Sequence, residues 1–265
     1  MAGNNSRSGT TVLTKATRIL EAFAGNRVTM TLSELSRATD LPASTVHRLA
    51  AELVSWGGLE RTEDGEYAVG LRLWEIAARS RRSFDLRETA MPFLQDLFDR
   101  TRQHVQLAVL DGSDALLLEK LSGPNAICTV GRSGGRLPLH ASAVGKVLLA
   151  NSGVDVREGV LQRRLVAYTP RTITSPRDLV RMFAQVRDCG FAVSDGELTA
   201  GVVSCAAAIG GSGSEPLGAV SVVLPAESGP PRRWGQAVMA AAGAISVAMA
   251  NRRRGAAISA QMTGL

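Results

Sequence analysis

Leu41-Pro42-Ala43-Ser44-Thr45-Val46-His47-Arg48-Leu49 is the stretch whose reading decides the fold. Pro42 lacks the N–H that the first turn of a helix leaves unpaired, so a helix is expected to start here. Within it Val46, Leu49, Ala50 and Leu53 point one way. Ser44, His47, Arg48 and Ala51 fall at i, i+3, i+4 and i+7 on the opposite face. That outer face is short and polar and carries one fork-shaped donor. Small side chains allow close approach to a duplex, hydroxyls meet phosphate oxygens, and an arginine fork matches a guanine edge. Its N-terminus, with Ser44 and Thr45, is also an anion site through free amides and the helix dipole.

Upstream, Thr31-Leu32-Ser33-Glu34 reads as a capping box opening a short helix through Leu35 and Ala38 to about Asp40. Before it, Val12, Leu13, Ala16, Ile19, Leu20 and Phe23 recur at helical spacing until Gly25. Downstream, Leu59-Glu60-Arg61-Thr62 and Tyr67-Ala68-Val69 flank Glu63-Asp64-Gly65-Glu66, a tight-hairpin signal. Three helices and a hairpin describe a winged helix-turn-helix. Arg61 then sits on the wing, near enough to a duplex to touch phosphate, while the acidic hairpin tip is expected to avoid it.

Charge alone is a weaker guide. The 265 residues carry a formal charge of +6, and 27 of the 30 basic side chains are arginine. Residues 1–83 hold 11 basic and 9 acidic side chains, so the reading head contributes +2 and the remainder +4. Affinity for DNA must come from placement, and from dimerisation. Three cysteines, Cys128, Cys189 and Cys205, form no C-x-x-C pair, which argues against a disulfide scaffold or zinc knuckle and fits a reducing compartment. The polar start has no signal-peptide core, and the apolar run 237–250 is shorter than the ~20 residues a bilayer requires. A soluble, cytoplasmic protein with no membrane partner is expected.

Beyond the hairpin, Leu71, Leu73, Trp74, Ala77 and Ala78 read as a linker helix ending in a basic cluster, with Trp74 the expected anchor of a contact between subunits. Asp85 and Glu88 read as the cap of a further helix through Met91, Leu94, Leu97 and Phe98. Strand-like runs follow at 105–110, 115–121, 126–130 and 217–224, with a hairpin turn at 111–114. A helix is expected from His140 or Ala141 to Ala150, and another, capped by Ser175, from Pro176 to about Asp188. Strands grouped together with helices around them indicate an antiparallel α+β domain rather than alternating βαβ units. The arginine-rich loop 131–136 lies just before the helix near residue 140, and an anion between that loop and the helix start is a reasonable expectation.

Enzyme readings fail on spacing. Gly131-Arg132-Ser133-Gly134-Gly135 matches G-x-S-x-G, but no helix follows at once and the only later histidine, His140, comes seven residues on with no carboxylate between. Gly145-Lys146 lacks the rest of a phosphate-binding loop. His47, His104 and His140 are too scattered to suggest a metal. No catalytic residue, cofactor or metal is assigned.

The chain resembles the IclR family of bacterial transcription regulators from Val12 to about Ala250. The resemblance is carried by Leu13-x-x-Ala16-x-x-Ile19-Leu20, Leu32-Ser33-Glu34-Leu35, residues 41–49, Tyr67-x-x-Gly70-x-x-Leu73 and Asp85-Leu86-Arg87. It continues through Leu137-Pro138-Leu139-His140-Ala141-Ser142-Ala143-Val144-Gly145-Lys146, Thr169-Pro170-x-Thr172-Ile173-Thr174 and Gly190-Phe191-Ala192-x-x-x-Gly196-Glu197. It implies a winged helix-turn-helix, a helical linker and a GAF-like antiparallel sheet with flanking helices. It also implies a homodimer or homotetramer acting as repressor or activator on double-stranded DNA at a pseudo-palindromic operator, and a small organic acid as effector. The expected layout is a polar disordered tail (1–10), the DNA-binding domain (11–70), the linker helix (71–84), the effector and oligomerisation domain (85–251) and a basic, polar tail (252–265).

Candidate DNA contacts are Thr31, Ser33, Ala43, Ser44, Thr45, His47, Arg48 and Arg61. By resemblance the effector residues are Arg132, Leu137, Leu139, Ala143, Asp195, Glu197, Ser204 and Cys205. One departure stands out. Many members read Gly-x-x-Cys-x-Ala-x-Pro in the late strand, whereas residues 201–208 place Ser204 at the Cys position and Ala208 at the Pro position. A small-metabolite sensor whose helix-turn-helix serves protein contacts is the rival reading.

Overall fold

The computed structural model describes residues 11–25, 27–210 and 215–263; the tail expected over residues 1–10 lies outside them. The chain divides into two compact units, Met1–Arg81 and Arg82–Leu265.

In the first unit α1 (Val12–Glu21) is capped by the Thr11 hydroxyl and runs into a 3-10 turn at Ala22–Ala24. The short strand β1 (Thr29–Met30) leads to α2 (Leu32–Thr39). Thr31 and Glu34 form both halves of the capping box, so two amides that the helix leaves unpaired are satisfied reciprocally. Asp40 ends α2 in the left-handed conformation, φ 54°, and the chain turns through Leu41 and Pro42 into α3 (Ala43–Trp56). Gly57, at φ 83°, stops α3 where a side chain would be strained. Strands β2 (Leu59–Arg61) and β3 (Tyr67–Val69) form the hairpin, and β1 joins it in an antiparallel sheet of order β1-β3-β2. Ile19, Phe23, Leu35, Leu41, Val46, Leu49 and Tyr67 share one core, which sets the outward face of α3. Next comes α4 (Leu71–Ala77).

The second unit is built on a six-stranded antiparallel sheet of order β6-β5-β4-β9-β8-β7. Its strands are β4 (His104–Asp111), β5 (Asp114–Leu121), β6 (Arg136–Pro138), β7 (Ala192–Asp195), β8 (Val202–Ile209) and β9 (Gly218–Pro225). One face packs on α6 (Ala143–Ala150), α7 (Val154–Leu161) and α8 (Pro176–Cys189). The other packs on α5 (Arg81–Thr101) and α9 (Pro231–Thr263). This is the α+β organisation expected, a winged helix-turn-helix followed by a sheet flanked by helices. Every residue of α6 is buried, as befits a helix apolar nearly all round and covered by both sheet and α8.

Three local expectations are overturned. Residues 126–130 are not a strand, because the neighbour of β5 is β6. With Gly131 and Arg132 they form a strap tied down by side chains: the Ile127 amide donates to Gln103, and Lys120 donates to the Thr129 hydroxyl and the Gly131 carbonyl at 3.1 and 2.6 Å. Asp85 and Glu88 do not cap a helix. They lie inside α5 and hold Arg252 at 3.0 and 2.7 Å. Consequently the linker expected over 71–84 is split, α4 ending at Ala77 and α5 beginning at Arg81. Within the basic, polar stretch after residue 251, α9 continues to Thr263; its arginines and alanines favour helix.

Candidate nucleic-acid interface and effector cavity

The first site is the outer face of α3. Packing of Val46, Leu49 and Ala50 into the core leaves Ala43, Ser44, His47, Arg48 and Ala51 exposed and Thr45 half-buried. Pro42, at the N-cap, provides no side-chain cap, and its carbonyl accepts from the Thr45 and Val46 amides. The amides of Ala43 and Ser44 have no partner inside the helix. Two candidate contacts come from α2: Ser33 is exposed, whereas the Thr31 hydroxyl is engaged with Glu34 at 3.0 Å. Arg61 closes β2, exposed, its guanidinium 5.2 Å from the centre of the Tyr67 ring. One neighbour went unnoticed in the sequence: Glu52, one turn beyond Arg48, accepts from its guanidinium at 2.9 Å. The i,i+4 spacing was the available signal.

The second site is a cavity on the α6 face of the sheet. Ser204 faces Val223 and Gln106 faces Ser221 in the strand register, so β4, β8 and β9 present these side chains together. Ser221 donates to the Gln106 amide oxygen at 3.2 Å. The walls are completed by Leu137, Val202, Leu198, Thr199 and Ser194, by Thr129, Val130 and Gly131 of the strap, and by Ser142, Ala143 and Val144 at the start of α6. Ser142 caps that helix, accepting from the Gly145 amide and donating to the Pro138 carbonyl at 2.8 Å. The start of α6, the positive end of its dipole, thus joins a lining rich in hydroxyls with no charged side chain.

Among the expected effector residues, Leu137, Ala143 and Ser204 come together in this cavity. Leu139 is in the core behind it. Arg132 lies on the strap but not in the lining, and Arg136 is drawn off to Asp111 and Asp114. The helix start therefore faces the cavity without the arginines expected beside it. Asp195 pairs with Arg171 at 2.9 Å, and Glu197 with Lys146. Both acids line a separate groove between α8 and β7. Cys205 is on the far side of the sheet, because consecutive strand residues face opposite ways. Its thiol donates to the Pro231 carbonyl at 3.3 Å, and burial pushes its pKa up to about 12. Gln106, Ser194 and Ser221 were missed, and so was Thr199 in the turn between β7 and β8; strand alternation could have flagged only the first three.

The strap is held by titratable groups. His104 is 5% exposed and its Nε2 donates to the Ile127 carbonyl, which leaves Nδ1 to accept from the Ser122 hydroxyl at 2.9 Å. Burial, aided by the nearby Lys120 ammonium and opposed by the Ile127 carbonyl, holds this imidazole below its usual value. Burial likewise lowers Lys120. Among the described residues no cluster of His, Cys, Asp or Glu could hold a metal ion, and no helix is long and apolar enough to cross a membrane.

Comparison with known proteins agrees with this geometry. Residues 12–63 match the IclR helix-turn-helix domain and residues 78–250 the bacterial transcriptional regulator IclR C-terminal domain. The HTH-type transcriptional regulator XynR of Escherichia coli is 32% identical over 210 residues, 78% of this chain and 83% of its own. The transcriptional repressor IclR of the same species is 32% identical over 217 residues, 80% and 79% of the two chains. A crystal structure of an IclR homolog from Microbacterium hydrocarbonoxydans complexed with 4-hydroxybenzoate superposes with a TM-score of 0.85 at 36% identity, covering 91% of this chain and all of the other. With a helix-turn-helix of this kind in front of a domain of this kind, the chain belongs to the IclR family of transcriptional regulators and is not an enzyme.

Proposed function

We propose that this regulator reads a pseudo-palindromic operator as a homodimer or tetramer, in the cytoplasm, and that a small organic carboxylate in the cavity on the α6 face controls it. In this reading Arg48 and His47 face base edges, while Ser44, Thr45 and Arg61 hold phosphates, with Thr31, Ser33 and Ala43 flanking them. The observation that carries the effector assignment is the cavity's make-up. Hydroxyls and the first amides of α6 offer donors to a carboxylate, and Leu137, Val202 and Val223 offer an apolar wall to the rest of a small molecule. The relative bound to 4-hydroxybenzoate supports the same class of ligand.

Oligomerisation is supported by apolar side chains left in the open. Leu71 is 68% and Trp74 67% exposed on α4, and Val12 and Leu13 are exposed on α1. Such groups in series mark a contact surface. Ligand occupancy would act by binding two subunit arrangements unequally, which changes the spacing of the reading heads.

The test is titration of the full-length protein with benzoate and 4-hydroxybenzoate by calorimetry, alongside a mobility-shift assay on the DNA upstream of its own gene. A specific, salt-sensitive complex that responds to the bound acid is expected. No specific complex with or without acids would favour a sensor whose helix-turn-helix contacts protein instead.

A further inference from the structure

Lys146 is the fourth residue of α6 and is 2% exposed, in a helix whose first residues line the cavity. A buried ammonium requires acceptors. It finds the Val193 carbonyl on β7, at 3.1 Å, and the Glu197 carboxylate just beyond that strand. Burial lowers the Lys146 pKa, and the Glu197 carboxylate works against that shift.

Both acceptors adjoin the cavity wall. Ser194 follows Val193, Leu198 and Thr199 follow Glu197, and all three line the cavity. The Glu197 backbone is anchored as well, since its carbonyl accepts from the Thr172 hydroxyl at 2.6 Å. One ammonium on α6 thus holds the strand end and the turn that supply Ser194, Leu198 and Thr199 to the cavity.

A second observation concerns the other carboxylate oxygen. Glu197 Oε2 is buried with no hydrogen-bond partner among the described residues. An unsatisfied carboxylate oxygen opposes folding, and a well-packed apolar pair of similar volume is often as stable as a buried ion pair or more so. Stability alone does not account for this pair at this place.

We propose that Lys146 and Glu197 are positioning residues of the effector cavity, their ion pair latching the wall from Ala192 to Gly201 onto α6 so that Ser194, Leu198 and Thr199 stand ready for the ligand. The inference rests on the cavity being the effector site. A wall ordered in advance spares the ligand the free energy of ordering it.

The experiment uses the full-length chain with the apolar double substitution Lys146→Met/Glu197→Leu and the gentler Glu197→Gln, which keeps an oxygen facing Lys146. Hydrogen exchange, thermal unfolding and calorimetric binding of benzoate are followed together. The double variant is expected to unfold no earlier than wild type, while the amides of Gly196 and Val202, which donate to the Val202 and Thr199 carbonyls, exchange about tenfold faster. Benzoate should bind about tenfold more weakly. Glu197→Gln should speed the same amides by about threefold, and it carries the decision if the double variant does not fold. Exchange at these amides within about twofold of wild type in the folded variants overturns the latch, whether or not benzoate binds. So does a double variant in which affinity falls only in step with global stability. Ser204→Leu separates the two readings by filling the cavity from β8. Benzoate binding that survives it sinks the cavity assignment. Binding abolished by Ser204→Leu but untouched by the double substitution sinks the latch alone.

Discussion

Replacing Arg48 by alanine removes the one guanidinium exposed on the outer face of α3. A bidentate arginine contact to guanine contributes ~1–3 kcal/mol of discrimination against the wrong base. Free in solution that guanidinium is held by Glu52 at 2.9 Å, with both side chains about 60% exposed, and such a pair contributes only ~0.3–0.5 kcal/mol. Releasing Glu52 on binding DNA therefore offsets a minor part of the contact. At a factor of ten per ~1.4 kcal/mol, Arg48→Ala should lower operator preference by roughly 5- to 100-fold per half-site. The loss is squared where two half-sites are read together. The substitution also strands the Glu52 carboxylate near phosphate, which weakens binding to every sequence, so Arg48→Ala/Glu52→Gln is the cleaner comparison. Fluorescence anisotropy on an operator duplex and a scrambled duplex, across a salt series, gives both quantities. The expected outcome is a collapsed ratio between the two duplexes, with the salt slope on scrambled DNA unchanged for the double variant. Equal losses on both duplexes, with the slope reduced by about one contact, would make Arg48 a phosphate contact and refute the reasoning.

Other predictions follow from single side chains. Thr31→Ala breaks both halves of the α2 capping box and should cost ~1 kcal/mol, lowering the calorimetric transition of the DNA-binding unit by about 4–8 °C; an unchanged transition would show the box to be idle. The depressed pKa of His104 means that its neutral form is favoured by folding. As pH falls through about 6.5 the unfolded chain takes up the proton first, so stability is full above that value, declines below it and levels off under the folded pKa. Urea unfolding from about pH 8 to about pH 5 should show that slope, and His104→Asn should flatten it. Iodoacetamide should modify the exposed Cys128 and Cys189 and spare Cys205, whose pKa is about 12, until the chain is unfolded; comparable rates at all three would contradict its burial. Trp74→Ser should raise the dissociation constant of the oligomer by roughly 30-fold if the exposed indole anchors it, the effect of a ~2 kcal/mol hot spot. Sedimentation equilibrium decides that point.

The site was legible in parts. The outer face of α3 could be read because a helix repeats every 3.6 residues and its apolar side had to go inward. The Thr31–Glu34 box could be read because both partners lie within one turn. Ser204 and Cys205 were grouped by motif, yet they are neighbours on β8 and face opposite sides of the sheet. Ala126 to Val130 has the composition of a strand, but the place beside β5 is filled by β6. Asp85 and Glu88 imitate a helix cap, and only the fold brings Arg252 to them, to Asp85 from 167 residues away.

Local order in the first unit was thus determined by the sequence alone: the starts of α1, α2 and α3, the hairpin at Gly65, and the side of α3 that meets solvent. These depend on neighbours a few residues apart, where backbone geometry leaves few choices. Tertiary structure decided what lines the cavity, where the arginines of residues 131–136 point, and that Lys146 meets Glu197 across 51 residues. A strand pattern states that alternate residues share a face, but not which helix will cover that face. A buried charge likewise requires a partner without naming it, and the choice is made only when distant segments pack.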